Sequence, residues 1–117
     1  EQMARWFAGQ AGASIIALMV AWSATANAAA SSELRARGKA LLQEKCSRCH
    51  AIEARGNSPL RDAPPMRDIY RRFAPRELQA ELRQGMVSRH RAMPQIEFSD
   101  EDTDAILAYL YALAVGK

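Results

Sequence analysis

Hydrophobic and polar residues are unevenly distributed along the chain, and the first thirty residues differ from the rest. No charged side chain occurs between residues 6 and 30, where the apolar segment 15–22 is followed by small residues at 23–30. Arg5 precedes this stretch, and Ala26-Asn27-Ala28 resembles a cleavage site. This order is typical of a secretory signal peptide. The pattern therefore predicts a cleaved signal.

We expect the signal peptide to cover residues 1–28 and a single domain to cover residues 29–117. An uncleaved membrane anchor is the alternative, because the uncharged stretch is long enough to span a bilayer. Polar residues dilute this stretch, and its strongly apolar core is short, so cleavage is favoured. Membrane association is expected only if the segment remains attached.

The rest of the chain shows helical periodicity. Ser31 or Ser32 is predicted to cap a first helix from Glu33 to about Glu44, with apolar positions at Leu34, Leu41 and Leu42. Gly38 interrupts that helix and costs about 1 kcal/mol relative to Ala. A glycine here usually permits the close approach of another backbone, although simple tolerance is the alternative.

Three shorter helices are predicted after a loop that contains several prolines. Pro75 begins the middle one and Gly85 ends it, while Ser99 caps the last one. Residues 86–98 have no clean period and contain Pro94, so they are predicted to form a loop. The apolar positions of the second helix are Met66, Ile69, Tyr70 and Phe73, and those of the last are Ile106, Leu107, Tyr109, Leu110 and Leu113. The sequence thus predicts an all-α fold of about four helices.

Composition narrows the possible functions. The chain has 117 residues and a formal net charge of +3, and its only two cysteines lie close together. A chain of this length forms one domain at most. The charge is small and no basic run is interleaved with aromatic residues, so nucleic acid is not an expected partner.

The chemistry centres on the sequence Cys46-Ser47-Arg48-Cys49-His50. Two thiols three positions apart, followed by an imidazole, form the attachment signature of a c-type haem. A redox disulfide would require a thioredoxin-like βαβ context, and no β-rich stretch flanks these residues. A structural zinc site needs about four ligands, which would exhaust every Cys and His of the chain, including His90.

A haem iron with one histidine ligand has a sixth position to fill. Met93 is favoured, because it lies in an aperiodic loop directly before Pro94, which restricts its backbone. The alternatives are Met86, His90 and an open site. Met66 lies at helical spacing, which is more typical of a core residue. A Met/His pair raises the reduction potential and leaves no position for dioxygen or peroxide.

These motifs resemble a class I c-type cytochrome, specifically a small bacterial monohaem one. The first helix and haem box match as Gly38-x-x-x-Leu42-x-x-x-Cys46-x-x-Cys49-His50, and Ala63-Pro64-Pro65-Met66 resembles the family's proline segment. The resemblance also covers Met93-Pro94 and the last helix, 106–110. It implies an all-α fold wrapped around one covalent haem c, with the last helix crossing the first at Gly38.

The resemblance also implies roles for particular residues. The Pro64 carbonyl would accept a hydrogen bond from His50, and iron would be bound by His50 and Met93. The residues expected to bind the cofactor are Cys46, Cys49, His50, Pro64, Met66 and Met93.

The haem motif and the resemblance are compatible with three alternative functions. The first is a periplasmic single-electron carrier, not an enzyme, between a dehydrogenase or reductase and an oxidase or reductase. The second is a fixed relay subunit of a periplasmic or membrane oxidoreductase complex. A ligand-binding sensor or peroxidase ranks last. An exposed face for docking redox partners is hypothesised from the arginines 67, 71, 72, 89 and 91, with an ordinary solvated surface as the alternative.

Overall fold

A computed structural model describes the backbone of residues 11–85 and 92–116, and the side chains of these ranges from residue 26 onwards. The helices in these ranges are α1 (Ala11–Lys45), α2 (Met66–Arg72), α3 (Pro75–Gln84) and α4 (Asp100–Val115). The same ranges contain no strand. The predicted all-α fold is therefore confirmed for the described part of the chain.

The first helix begins earlier than the sequence predicts. Ser31 and Ser32 lie inside α1 and do not cap it, because their hydroxyls donate to the carbonyls of Ala28 and Ala29 at 2.9 and 2.8 Å. A serine that bonds back to the preceding turn is compatible with a continuing helix. Alanine has the highest helix propensity, so the alanines before the serines favour continuation.

The bounds of α3 and the start of α4 agree with the sequence prediction, but α2 is shorter than predicted. Phe73, expected on the apolar face of the second helix, lies just beyond α2 in an extended conformation and is 42% exposed. Pro75 occupies the first position of α3, and Gly85 ends that helix with a φ of 83°. The left-handed conformation at this position favours glycine. Ser99 caps α4 by accepting a hydrogen bond from the Asp102 N–H at 3.1 Å. Three acidic side chains in the first turn of α4 complement the positive end of the helix dipole.

The backbones of α1 and α4 approach each other closely at Gly38. A Cβ atom added to Gly38 would lie 2.0 Å from the carbonyl oxygen of Ala105 and 3.0 Å from the backbone nitrogen of Ile106. Only a residue without a side chain fits this crossing. The close approach predicted from the isolated glycine, and the crossing of the last helix at that position, are confirmed.

One hydrophobic cluster joins residues from all four helices and from the loop that follows the haem box. Its buried members are Leu42, Ile52, Met66, Ile69, Leu78, Leu82, Ile106, Tyr109 and Leu110. Leu34, predicted as an apolar position of the first helix, is instead 39% exposed. The core therefore uses α1 only from the Gly38 crossing onward.

Contacts divide the chain into two compact units, the first ending at Ser32 and the second beginning at Glu33. In the part of the chain that the structure describes, no helix is both long and apolar enough to cross a membrane.

Candidate functional site

The cysteine and histidine side chains of the haem box lie in one compact turn at the end of α1. The N–H groups of Cys46 and Ser47 donate to the Leu42 carbonyl at 2.9 and 3.0 Å. The N–H groups of Cys49 and His50 donate in turn to the Cys46 carbonyl at 3.1 and 3.0 Å. This turn contains both thiols and the imidazole within five consecutive residues.

The His50 ring is buried and has a fixed orientation. Its Nδ1 lies 2.7 Å from the Pro64 carbonyl oxygen, and the residue is only 9% exposed. A carbonyl only accepts, so Nδ1 must carry the proton and donate. In the neutral ring Nε2 then keeps its lone pair. The hydrogen bond implied by the family resemblance is present, and it leaves Nε2 as the nitrogen that can bind a metal.

The loop between the haem box and α2 is fixed by hydrogen bonds from both sides. The Ala51 carbonyl accepts a hydrogen bond from the Met66 N–H at 2.9 Å, and the Ala51 N–H donates to the Ser58 hydroxyl at 3.0 Å. The Leu60 N–H donates to the Cys49 carbonyl at 3.1 Å. These bonds return the chain to the haem box, so that the proline segment passes beside His50.

Met66, included among the expected cofactor-binding residues, is a core residue at the start of α2. It is 6% exposed and belongs to the hydrophobic cluster. This agrees with its helical spacing in the sequence. Pro64 is half-buried, and its carbonyl has a defined role as the acceptor for His50.

Both cysteines are free and half-buried. Burial, reinforced by the neighbouring Cys49, raises the pKa of Cys46 to about 11. Redox-active Cys-x-x-Cys motifs show the opposite shift, because a lowered pKa is what makes their thiolate reactive. The environment of Cys46 thus argues against a thiol–disulfide exchange site.

The zinc alternative finds no support in residues 11–85 and 92–116. No three His, Cys, Asp or Glu side chains of these ranges are grouped so that they could hold a metal ion. His90, which would be the fourth ligand, lies outside the described residues.

Met93 lies in a bend directly before Pro94 and is half-buried. The segment that follows Met93 packs against the end of α3 and is hydrogen-bonded to it. The Phe98 N–H donates to the Leu82 carbonyl at 3.1 Å, and the side chain of Glu97 lies against Gly85. Met86 and His90, the rival ligands, lie outside the described residues. The assignment of Met93 to iron stays a prediction.

One arginine of the hypothesised docking face has a structural role instead. Arg67 donates to the carbonyls of Glu53 and Gly56 at 3.2 and 2.9 Å. Its guanidinium therefore bridges α2 and the loop after the haem box, and two of its five N–H donors are used within the chain. Arg67 is a poor candidate for contacting a partner protein.

The other arginines of that face are less committed. Arg71 lies 3.9 Å from Asp68 on the same helix, a distance at which an exposed pair contributes little. Arg72 is exposed. Arg89 and Arg91 lie outside the described residues. A docking role for this group stays a prediction.

A polar network joins three elements beside the haem box and was not predicted from the sequence. The Tyr109 hydroxyl donates to the Ile52 carbonyl at 2.9 Å and lies 3.4 Å from the Glu53 carboxylate. Lys39 of α1 binds the other oxygen of that carboxylate at 2.8 Å. Burial, with the Glu53 charge, raises the pKa of Tyr109, so its hydroxyl remains protonated at neutral pH. In the sequence Tyr109 was only part of an apolar face.

A model of the family described as "Cytochrome C oxidase, cbb3-type, subunit III" matches residues 33–110, more than half of the chain. The chain belongs to this family of c-type cytochromes. A search of curated proteins found no match. The cytochrome carries one haem c with iron, attached through Cys46 and Cys49.

The donor set of this cytochrome fits such a group. Two free thiols and an imidazole whose Nε2 keeps a lone pair lie on one turn. When bound, the haem supplies a reversible one-electron change between ferric and ferrous iron. The cytochrome is therefore an electron-transfer protein.

Proposed function

We propose that this cytochrome is a periplasmic single-electron carrier with one haem, whose iron is bound by His50 and Met93. The observation that carries the proposal is the 2.7 Å hydrogen bond from His50 Nδ1 to the Pro64 carbonyl. It fixes both the tautomer and the plane of the ring, as a ligand with a hydrogen-bonded second nitrogen requires. A ring held in this way needs no rearrangement when an electron arrives or leaves.

Met93 supports the same function through its chain context. Pro94 restricts the backbone of the preceding residue, and the Phe98–Leu82 hydrogen bond fixes the segment that follows. A thioether is a soft, neutral donor that favours the reduced state of iron. If His50 and Met93 both held the iron, no ligand position would be left for a substrate, so the proposed carrier is not a catalyst.

The first experiment tests Met93 against a matched methionine. Met93→Leu and Met66→Leu each remove one thioether sulfur. Met66 is a buried core residue for which leucine is a conservative replacement. We expect Met93→Leu to abolish the weak near-infrared sulfur-to-ferric-iron absorption band, lower the reduction potential and allow carbon monoxide to bind. Met66→Leu should retain the band. Loss of the band in Met86→Leu instead would move the ligand to that residue.

Carbon monoxide also distinguishes the carrier from a sensor or peroxidase. The carrier proposal expects the ferrous wild-type protein to resist carbon monoxide at neutral pH. Rapid binding by the wild-type protein would mean an open or labile sixth position, and the ligand-binding function would replace the carrier.

The proposed periplasmic location rests on the N-terminal segment. We propose that export removes residues 1–28, because a charged residue, a short apolar core and small residues precede the domain. The mass of the intact protein after export-competent expression tests this. A mass that retains residues 1–28, found in the membrane fraction, would replace the signal with an anchor.

A fixed relay within an oxidase complex is the second candidate function. The observation in its favour is the family description, which names a subunit of a cytochrome c oxidase. Gentle solubilisation of native membranes, followed by size separation with detection of covalent haem, separates the two functions. The carrier is expected in the periplasmic fraction at the mass of the free domain, and the relay in a large membrane assembly.

A further inference from the structure

Hydrogen bonds hold the chain at each of the two residues that follow His50. Both backbone groups of Ala51 are bound, as described above. At the next residue, the Ile52 carbonyl accepts a hydrogen bond from the Tyr109 hydroxyl at 2.9 Å. This last bond differs from the others because its donor comes from α4, at the far end of the sequence. It ties the chain beside the His50 ring to the last helix.

The bond between Tyr109 and Ile52 is shielded from water. Ile52 is 4% exposed and Tyr109 is 9% exposed. A buried carbonyl that loses its donor has no solvent to replace it, so the chain must shift or remain unsatisfied. Ala51 connects Ile52 to both partners of the His50 hydrogen bond, because it follows His50 directly and its carbonyl accepts from the Met66 N–H, two residues after Pro64. A shift at Ile52 would therefore pass through Ala51 to His50 and to the proline segment.

We propose that Tyr109 is a positioning residue for His50, whose hydroxyl sets the strength of the hydrogen bond between Nδ1 and the Pro64 carbonyl. The proposal rests on the proposed function in one respect, namely that His50 binds iron. Tyr109 itself need not touch the cofactor. It acts by fixing the Ile52 carbonyl, and through it the distance from the His50 ring to the proline segment.

The proposal predicts linked changes that stability alone would not produce. A hydrogen bond donated by Nδ1 increases the basicity of the ring and so stabilises ferric iron. If the loss of the Tyr109 hydroxyl lengthens that bond, the reduction potential should rise. The proton on Nδ1 should also exchange faster with solvent, by about fivefold for the loss of one neutral hydrogen bond.

Tyr109→Phe removes the hydroxyl and retains the ring. Tyr111→Phe is the matched control, because Tyr111 lies on the same helix and is 56% exposed. Both variants are studied as holoproteins. The measurements are the reduction potential and, with selectively ¹⁵N-labelled histidine in the ferrous state, the exchange rate of the His50 Nδ1 proton. We expect both to increase in Tyr109→Phe and neither to change in Tyr111→Phe.

Two further variants keep the test informative if Tyr109→Phe does not fold. Replacing Tyr109 with 3-fluorotyrosine retains a hydroxyl that is a stronger donor, so we expect slower exchange and a lower potential. Glu53→Gln removes the neighbouring charge but leaves the bond from Tyr109 to Ile52. The Nδ1 exchange rate should therefore stay close to the wild-type value in Glu53→Gln.

The outcomes are decisive in each direction. Unchanged exchange and potential in Tyr109→Phe, with only a lower unfolding midpoint, would make Tyr109 a purely structural residue. A large exchange effect in Glu53→Gln would assign the role to the charge instead. Failure of the proposed function looks different, because the ferric wild-type protein would then show no strongly shifted resonances from the His50 ring.

Discussion

Replacing Gly38 with alanine tests the crossing of α1 and α4, on which the packing of the domain depends. Inside a helix, Gly→Ala normally stabilises by about 1 kcal/mol. Here the new methyl group would lie 2.0 Å from the Ala105 carbonyl oxygen and 2.5 Å from the carbonyl carbon. Both neighbours are backbone atoms of a helix, so neither can rotate away.

The size of the effect follows from these distances. The oxygen must move by about 1 Å to reach 3.0 Å, the shortest separation that real Cβ atoms show, and α4 must move with it. Overpacking typically costs about 1–3 kcal/mol. A rigid helix, with Ala105 and Ile106 fully buried at the contact, indicates the upper end of that range. After subtracting the gain in helix propensity, we expect a net destabilisation of about 2 kcal/mol.

Urea unfolding of the holoprotein, followed by circular dichroism, measures this difference. For a domain of this size the expected loss corresponds to about 8–16 °C in Tm. Ala36→Gly, at an exposed position of α1, is the control, and it should cost only the propensity term of about 1 kcal/mol. If Gly38→Ala instead stabilises by about 1 kcal/mol, the two backbones are not in contact and the crossing is wrong.

Three further predictions concern α4. Thr103 is fully buried and its hydroxyl has no hydrogen-bond partner within the described residues, so Thr103→Val should stabilise by about 1 kcal/mol in urea unfolding; destabilisation would reveal a partner. Ser99→Ala should cost about 1 kcal/mol, because the Asp102 N–H loses its acceptor, and an unchanged urea midpoint would contradict this. Hydrogen bonds from its own backbone N–H and from Ser99 lower the pKa of Glu101 below its ordinary value of 4.5. The contribution of the Glu101 carboxylate to the stability of the fold is therefore complete above pH 4.5 and is lost as the pH falls through the folded-state pKa. Glu101→Gln should therefore flatten the decline of stability below pH 4.5, and identical acid unfolding curves would contradict this.

Local sequence signals were sufficient for much of the fold. Pro75, Gly85 and Ser99 act through the conformation and hydrogen bonds of their own neighbourhoods, so the bounds of α3 and the start of α4 were readable from the sequence. The role of Gly38 was also readable, because an isolated glycine in a helix suggests a close neighbour. The haem box was recognisable because covalent attachment of a haem requires two cysteines three positions apart, followed by a histidine.

The remaining features depend on positions far apart in the chain. The Tyr109–Ile52 bond joins residues that no local pattern relates, and a tyrosine on an apolar face gives no sign of what its hydroxyl meets. Arg67 was interpreted as a surface charge, because its acceptors are backbone carbonyls that every sequence contains. The predicted cap at Ser31 or Ser32 was wrong, since a serine that can cap a helix can also bond to the turn before it.

The crossing at Gly38 has a consequence for the order in which the protein is made. The ribosome synthesises α4 after α1, so the surface around Gly38 has no partner until the chain has been made as far as Ala105. Contacts between distant parts of a chain form slowly, because a long loop must close before they are made. The nascent chain therefore remains open at the Gly38 surface during the interval between the synthesis of α1 and that of α4. Packing against Ala105 ends that interval.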